Sequence, residues 1–306
     1  MKPSDTSPAC RPALFTLRTA ALACLAACAV ATVPAAHAAG DAASLQARHT
    51  EVAPALKQNA FGRPLRLDST EASGQLHGTI DASMDHAFGT VGTALQSPEA
   101  WCEILMLHLN TKSCAVQKGS AGTVLAVHVG RKHDQPLQQA QRVDFVFENV
   151  AATADYLQLR LRADSGPLST RDYRIVLQAV PIAGNKTFVR MDYSYAYGTA
   201  ARLAMQGYLA TVGSDKIGFT PVAGKPDERI GGVRGVVERN TMRYYLAIDA
   251  YLDSLSAPAA QQRDLRAAAW FDATEQYPQQ LHEVDRADYL AMKRNEFARM
   301  QNPAAR

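Results

Sequence analysis

The residues most able to do chemistry in this sequence lie in one charged segment, Glu238 to Tyr245. Arg239 and Arg243 are four positions apart, so a helix places both guanidinium groups on one face. Glu238 lies beside them near the predicted helix start, where a negative charge is favoured. Two arginines on one face can clamp the carboxylate or phosphate of a ligand. The same spacing also suits an ion network that ties the helix to acidic residues on neighbouring strands.

Aromatic side chains form two further stripes in the sequence. Tyr193, Tyr195 and Tyr197 alternate along a predicted strand, and Tyr244 and Tyr245 lie on the helix that follows. Such stripes are typical of a packed core. Around a hollow core, the same rings line a ligand pocket and their hydroxyl groups orient the ligand. The sequence leaves both interpretations open.

Other chemistries lack their sequence patterns. The seven histidines beyond residue 38 form no His-x-x-x-His pair and no cluster with cysteine, so we predict no metal site. The chain has no Gly-x-Ser-x-Gly elbow, and residues 231–235 lack the Gly-Lys-Ser/Thr of a phosphate-binding loop. We therefore expect no cofactor and assign no catalytic residue.

The first 38 residues match the pattern of an export signal. A basic, polar flank precedes an apolar stretch over residues 19–34, and Ala36-His37-Ala38 places small residues before a cleavage site. We predict cleavage after Ala38 and a periplasmic or secreted protein. The rival site is Cys28, which follows Leu25-Ala26-Ala27 as in a bacterial lipobox. Cleavage there would leave a lipid-anchored protein.

Cleavage after Ala38 leaves only two cysteines, Cys102 and Cys114. An even pair in an oxidising compartment predicts a disulfide. Two buried free thiols are the alternative. We place Cys114 in a loop after a short helix that carries Cys102.

The composition excludes several classes of protein. The chain has 306 residues, of which 47% are hydrophobic and 20% charged, as in folded globular proteins. Its net charge is +3, and it falls to +1 without the predicted leader, which holds three cations and one anion. A nearly neutral protein is a poor candidate for nucleic acid, whose binding depends on neutralised phosphates. We therefore predict no nucleic-acid partner.

Hydrophobic periodicity predicts the elements that position these residues. We predict a loose or partly helical lead-in over residues 39–62, and strand-like alternation from residue 63. Asp85 is predicted to cap a first short helix, and Ser97-Pro98 to start a second. Four further alternating stretches predict an antiparallel meander. These stretches cover residues 142–147, 156–163, 172–180 and 187–197.

The chain becomes mostly helical after the meander. We predict a helix over residues 199–212 and a hairpin within residues 216–233. An apolar stripe predicts a long helix, Val236–Leu255. Residues 258–301 are predicted to form two charged amphipathic helices, broken near Tyr277-Pro278.

This order of elements resembles the helix-grip fold of the START and Bet v 1-like superfamily. The resemblance is carried by Ile80–Phe88 at a strand-to-helix entry, Val91–Trp101 over two short helices, Tyr173–Tyr197 on paired strands, and the long helix. It covers residues 63–256 and implies an α+β fold, in which a curved antiparallel sheet wraps a long C-terminal helix. Residues 257–306 would form a C-terminal helical extension. The segment 199–234 departs from the usual order, so an unrelated α+β fold is the alternative.

The resemblance also implies an apolar cavity between sheet and helix. We therefore predict a binding protein for an apolar or amphipathic, lipid-like small molecule, acting by sequestration or transport. The cavity should hold roughly several hundred Å³, the usual size of such sites. The predicted ligand-binding residues are Tyr173, Met191, Tyr193, Tyr195, Arg239, Arg243, Tyr244 and Ile248.

Two other functions stay open at the sequence level. The first is a cavity enzyme similar to polyketide cyclases, with Glu238, Arg243 and His108 as acid–base residues. The second is a structural or interaction protein whose C-terminal helices dock an unknown protein partner. A buried carboxylate or histidine in the cavity favours the enzyme, and a filled core favours the interaction protein. Contact with a membrane surface is a further open question.

Overall fold

The computed structural model of the protein describes residues 34–199, 202, 203, 207 and 216–301. Residues 1–33, which hold most of the predicted leader, lie outside these ranges, as does most of the predicted helix over residues 199–212. Within the described ranges, no helix has both the length and the mean hydropathy needed to cross a membrane.

Eight strands form one antiparallel sheet, in the order β1-β2-β8-β7-β6-β5-β4-β3. The strands are β1 Leu65–Ala72, β2 Gln75–Met84, β3 Thr111–Gly119, β4 Gly122–Val129, β5 Gln141–Ala152, β6 Leu157–Ser165, β7 Thr170–Ile182 and β8 Lys186–Tyr197. Strands β5 to β8 pair with their sequence neighbours, which confirms the predicted meander.

The strand register follows from the alternation of apolar and polar residues. Leu159 on β6 pairs with Leu177 on β7, which pairs with Met191 on β8, and Met191 pairs with Ile80 on β2. All four side chains are buried in one core cluster. A slip of one residue would turn any of these strands' apolar side chains to the other face, so burial determines the register.

Seven helices accompany the sheet within the described residues. They are α1 Pro34–Lys57, α2 Phe88–Leu95, α3 Pro98–Met106, α4 Gly232–Ser254, α5 Ala259–Thr274, α6 Pro278–Leu281 and α7 Arg286–Gln301. The long helix α4 packs on β1, β2, β8 and α3. The elements therefore occur in the order that the resemblance implies: a strand leading into a helix, two short helices, antiparallel strands, and the long helix α4 packed on the sheet.

The C-terminal helices belong to the same hydrophobic core as the sheet. Trp270 on α5 stacks on Tyr289 on α7, with ring centroids 5.1 Å apart, and both side chains are fully buried. The Trp270 indole N–H donates to the backbone oxygen of Arg243 on α4. The aromatic faces of α5 and α7 are thus covered by the protein itself.

The predicted lead-in is a regular helix. Helix α1 covers the face of the sheet opposite to α4, where Leu45 and Val52 share a small second core with Val180 and Phe188. Few side chains of α1 are buried, so the apolar residues of this Ala-rich segment show only a weak helical periodicity in the sequence. Arg48 on α1 anchors the helix to the sheet through the buried carboxylate of Asp81 at 2.7 Å.

Several local predictions change in detail. Helix α2 has Ala87 at its N-cap position and not Asp85, whereas Ser97 caps α3 as predicted by accepting from the Ala100 N–H. Cys114 lies on strand β3, a strand that the sequence did not reveal. The predicted hairpin is shorter than expected and consists of β9 Pro221–Val222 and β10 Lys225–Arg229.

Candidate functional site

A pocket of about 140 Å³ lies between one end of the sheet and helix α4. It is partly open, and it is smaller than the several hundred Å³ predicted, because the aromatic rings fill much of the space between sheet and helix. Apolar side chains and a few polar groups form its walls. The lining residues are Leu105, His108, Asn110, Thr111, Val127, Val129, Val143, Phe145, Pro167, Tyr173, Tyr193, Asn240 and Tyr244.

Three tyrosines form the aromatic part of the pocket wall. Tyr193 on β8 meets the ring of Tyr244 on α4 edge-on, with centroids 5.1 Å apart. Tyr173 packs edge-on against Phe145 and donates to or accepts from the Thr170 hydroxyl at 2.7 Å. Burial raises the pKa of Tyr193 and of Tyr244 above that of free tyrosine. Both phenols therefore stay protonated and can donate a hydrogen bond.

His108 is the buried titratable group of the pocket. It lies between α3 and β3, and its ring stacks on Tyr244 with centroids 5.3 Å apart. Its Nδ1 atom accepts a hydrogen bond from the Asn110 backbone N–H at 3.2 Å. Burial, together with the positive charges of Arg243 and Lys293, lowers the pKa of His108 well below its usual value. The imidazole is therefore neutral at pH 7.

Three of the eight predicted ligand-binding residues line this pocket, namely Tyr173, Tyr193 and Tyr244. Tyr195 is not among the lining residues, but its ring stacks on that of Tyr173, with centroids 5.2 Å apart. Met191 and Ile248 are buried elsewhere in the core. The pocket lining does not include Arg239 or Arg243.

Glu238 and Arg239 hold a segment that we call the strap, residues 216–230. The buried carboxylate of Glu238 accepts from the backbone N–H groups of Phe219 and Thr220, at 2.6 and 3.0 Å, and from two hydroxyl groups. The Arg239 guanidinium donates to the backbone oxygens of residues 216 and 217. These two side chains thus anchor the strap to α4, which differs from the predicted clamp for a ligand anion.

Arg243 fastens the C-terminal segment to the same helix. Its guanidinium donates to the backbone oxygen of Leu281 at 3.2 Å and to the carboxylate of Glu283 at 2.9 Å. Lys132 pairs with the same carboxylate at 2.7 Å. Burial opposes the charge on Glu283, but the two cations lower its pKa below the usual value. Arg243 therefore takes part in an ion network, but its carboxylate partner lies on this segment and not on the neighbouring strands, as the sequence had suggested.

A second buried ion cluster lies behind His108. The carboxylate of Glu296 on α7 accepts from Lys112 at 2.8 Å and from Lys293 at 2.7 Å, and all three side chains are at most 1% exposed. Lys293 also donates to the backbone oxygens of His108 and Thr111. This cluster therefore fixes the backbone on which His108 stands.

The predicted disulfide is present. Cys102 on α3 is bonded to Cys114 on β3, with Cα atoms 5.3 Å apart. The bond ties α3 to the strand that follows, on either side of the turn that carries His108 and Asn110. The same short connection thus has a covalent support and an ionic one.

Among the described residues, one group of side chains lies close enough together to offer ligands to a metal ion, although the sequence predicts no metal site. His86, Asp249 and Asp253 each bring one ligand atom within 4.8 Å of the others. His86 precedes α2 and the aspartates lie on α4, so sequence spacing could not reveal the group. Arg63 already pairs with Asp249 at 2.7 Å and His86 with Asp253 at 3.2 Å. The group forms an ion-pair network as it stands.

Sequence reasoning missed most of the pocket lining. Asn110 and Thr111 enter it through the turn after α3, and Asn240 through its position on the inner face of α4. No signal in the sequence marks them, since their place depends on the packing of three distant segments.

A larger, open groove of about 540 Å³ lies between α3, α5 and α7, where Glu103 and Arg263 pair across it.

Comparisons with known proteins give structural neighbours only. No family model matches the chain, and no curated protein matches it. One similar solved structure is human StAR-related lipid transfer protein 5, with 8% identity and a TM-score of 0.35 over 72% of this chain and 99% of that one. Another is Ara h 8.0201, with 12% identity and a TM-score of 0.33 over 62% of this chain and 99% of that one.

A third similar structure is a conserved protein of unknown function from Enterococcus faecalis, EF2215. It has 7% identity and a TM-score of 0.31, over 82% of this chain and 99% of that one. Values this low establish nothing about ligand or activity. The structure itself shows an α+β fold in which a long helix packs on an eight-stranded antiparallel sheet, the architecture that the resemblance implied.

Proposed function

We propose that this protein binds a small apolar or amphipathic molecule in the pocket between the sheet and α4. The observation that carries the proposal is the composition of the pocket wall. Leu105, Val127, Val143 and Phe145 give it apolar surface, while tyrosine hydroxyls, an imidazole and amide groups supply a few polar contacts. Small-molecule sites have this combination of mostly apolar walls and a few placed polar groups.

The size of the pocket limits what it can hold. An engineered cavity of about 150 Å³ in another protein binds benzene, so 140 Å³ suits a group the size of one ring. A lipid-like ligand would insert only such a part, and the rest of it would extend through the open side. Sequestration or transport of a ring-sized molecule, or of an amphipathic molecule with a ring-sized end, is the function that this geometry supports best.

Mass spectrometry of organic extracts tests this proposal. The full chain, purified from its own host, should release a small molecule, and Val129→Phe should strongly reduce its amount, because Val129 lines the pocket and the larger side chain takes up part of the pocket volume. Val150→Phe is the matched control, since Val150 is 41% exposed on β5 and is not among the pocket-lining residues. If wild type releases no molecule, or if both variants release as much as wild type, the proposal is wrong.

A cavity enzyme is the second candidate, and one observation favours it: a buried histidine lines the pocket. Acid–base catalysis usually needs a second titratable group that moves the proton onward. No carboxylate is among the described lining residues, and Glu238 and Arg243 are engaged outside the pocket. Catalysis in this pocket would therefore depend on His108 and the tyrosines, and His108→Phe would abolish it.

We also propose that the protein is exported and cleaved after Ala38. Among the residues of α1 whose burial is described, 41–57, the first buried one is Ala42, so a chain that begins at Ala39 keeps every described contact between α1 and the sheet. The Cys102–Cys114 disulfide suits an oxidising compartment. N-terminal sequencing of the protein from the periplasmic fraction should begin at Ala39. A lipid-modified Cys28 at the N-terminus would replace this proposal with membrane anchoring.

A further inference from the structure

A second pocket, of about 320 Å³, lies beside the strap and is partly open to solvent. Its walls come from three connecting segments, namely the turn after α1, the strap, and the residues around the start of α6. It shares no described lining residue with the pocket between the sheet and α4. A concave site of this volume is large enough for a small molecule.

Three aromatic rings line this second pocket, one from each segment. Phe219 of the strap lies edge-on to Tyr277, with ring centroids 5.5 Å apart, and the ring of Phe61 lies 5.7 Å from that of Phe219. Both phenylalanines are only partly buried, although an aromatic side chain gains free energy from full burial. A ligand with a flat apolar body would cover the ring surface that the protein leaves exposed.

Contacts on the protein side hold these rings in place. The buried carboxylate of Glu238 accepts from the Phe219 backbone N–H at 2.6 Å, which fixes this part of the strap on α4. The Tyr277 hydroxyl donates to the backbone oxygen of Phe61 at 2.7 Å. Because the walls are already ordered, binding costs little further conformational entropy. The charged segment of α4 thus supports a pocket whose lining it does not join.

The charge of the pocket wall selects among apolar molecules. Arg229 is the one charged residue among the described lining residues. Its guanidinium donates to the backbone oxygen of Pro226, and it pairs with no carboxylate in the part of the chain that the structure describes. The neighbouring Glu228 pairs with Lys225 instead. The planar guanidinium matches the two oxygens of a carboxylate, so the wall is complementary to an anion.

We propose that this pocket binds a small molecule with a flat apolar body and one carboxylate. The body lies against Phe61, Phe219 and Tyr277, and the carboxylate pairs with Arg229. A cavity of about 150 Å³ holds one ring, so 320 Å³ has room for two fused rings, which the 140 Å³ pocket between the sheet and α4 has not. The proposal therefore concerns a separate site and stands without the function proposed above.

Calorimetric titration of the full chain with naphthoate and naphthamide tests the proposal. The two probes have the same fused rings and the same number of non-hydrogen atoms, and only naphthoate is charged. Wild type should bind naphthoate more tightly than naphthamide. Arg229→Gln should weaken naphthoate binding by about 10-fold, as the loss of one hydrogen-bonded charge pair implies, and should leave naphthamide binding unchanged. Naphthamide binding to this variant also reports that its pocket is folded.

Arg294→Gln is the matched control. Arg294 is exposed, pairs with no described carboxylate, and lines the open groove between α3, α5 and α7. The control removes the same charge from the protein and should leave both affinities unchanged. The proposal is wrong if naphthoate does not bind, if it binds no more tightly than naphthamide, or if Arg294→Gln weakens it as much as Arg229→Gln does.

A measurement on wild type covers the case in which Arg229→Gln does not fold. In an NMR sample saturated with naphthoate, the probe's protons should show nuclear Overhauser contacts with the ring protons of Phe61, Phe219 and Tyr277. Contacts with Leu105 or Val127 instead would place the probe in the pocket between the sheet and α4. That result, or the absence of contacts with the three rings, would overturn the proposal.

Discussion

Replacing Glu296 with glutamine should destabilise the protein more than any surface substitution. The Glu296 carboxylate is fully buried and is paired with both Lys112 and Lys293, at 2.8 and 2.7 Å. Glutamine keeps the shape of the side chain but removes the charge, so two buried ammonium groups lose their counter-ion. Breaking a buried ion pair in this way costs about 3–5 kcal/mol of unfolding free energy.

The loss should depend on pH with a defined sign. Burial lowers the pKa of Lys293 to about 8, against 10.5 for the free side chain. Between these two values the unfolded chain binds more protons than the folded one, so this group makes the unfolding free energy rise with pH. Without Glu296 the pKa of Lys293 falls further, so the unfolding free energy of the variant begins to rise with pH at a lower pH than that of wild type. The difference from wild type should therefore shrink as the pH rises from 7 to about 8 and stay constant above that value.

Urea unfolding at several pH values measures this effect. Glu275→Gln is the matched control, because Glu275 pairs with the half-exposed His282 at 3.0 Å, and a surface pair of this kind contributes about 0–1 kcal/mol. If Glu296→Gln costs no more than the control, or if its deficit grows with pH, the buried cluster does not stabilise the fold as described.

Three further predictions concern other supports of the site. Reduction of the disulfide, or the double change Cys102→Ser/Cys114→Ser, should lower the unfolding free energy by about 3 kcal/mol. Ellman titration of unreduced, denatured protein should detect no thiol from this pair. Two thiols from it would contradict the bond. Gly218→Ala should loosen the strap, since its Cβ would lie 2.5 Å from Glu238 Oε2. Limited proteolysis should then cut the strap sooner than in the control variant, Gly207→Ala. Equal cutting rates in the two variants would argue against this anchor. The hydrogen bond to Asp253 raises the pKa of His86 in the folded protein. His86 therefore adds stability that is complete below pH 6.5 and is lost as the pH rises through its folded-state pKa. Asp253→Asn should flatten the dependence of the unfolding free energy on pH over this range, and an unchanged profile would refute the pairing.

The sequence allowed much of the fold to be predicted, because local periodicity reports burial on one face. Strand β6 alternates Leu157, Leu159 and Leu161 with polar residues, and the structure buries all three leucines. Strand β3 escaped prediction because Lys112 occupies a buried position on it. A lysine there makes sense only with Glu296, which lies far along the chain on α7.

The candidate site was less predictable than the fold. Tyr193 and Tyr244 could be found because aromatic stripes on a strand and a helix face one another across the core. The roles of Glu238 and Arg239 could not, since both depend on where the strap folds back onto α4. The charged segment therefore suggested ligand binding, whereas its charges hold the protein's own backbone.

The location of a bound ring shows whether the pocket between the sheet and α4 takes a ligand. In a methyl NMR titration of the full chain with cumene, we expect saturable shifts concentrated at Leu105, Val127 and Val143, which line the pocket between sheet and helix. Val129→Phe should abolish these shifts, and Val150→Phe should leave them unchanged. No saturable shift, or shifts confined to residues such as Ala260 and Ala298 in the open groove between α3, α5 and α7, would contradict it.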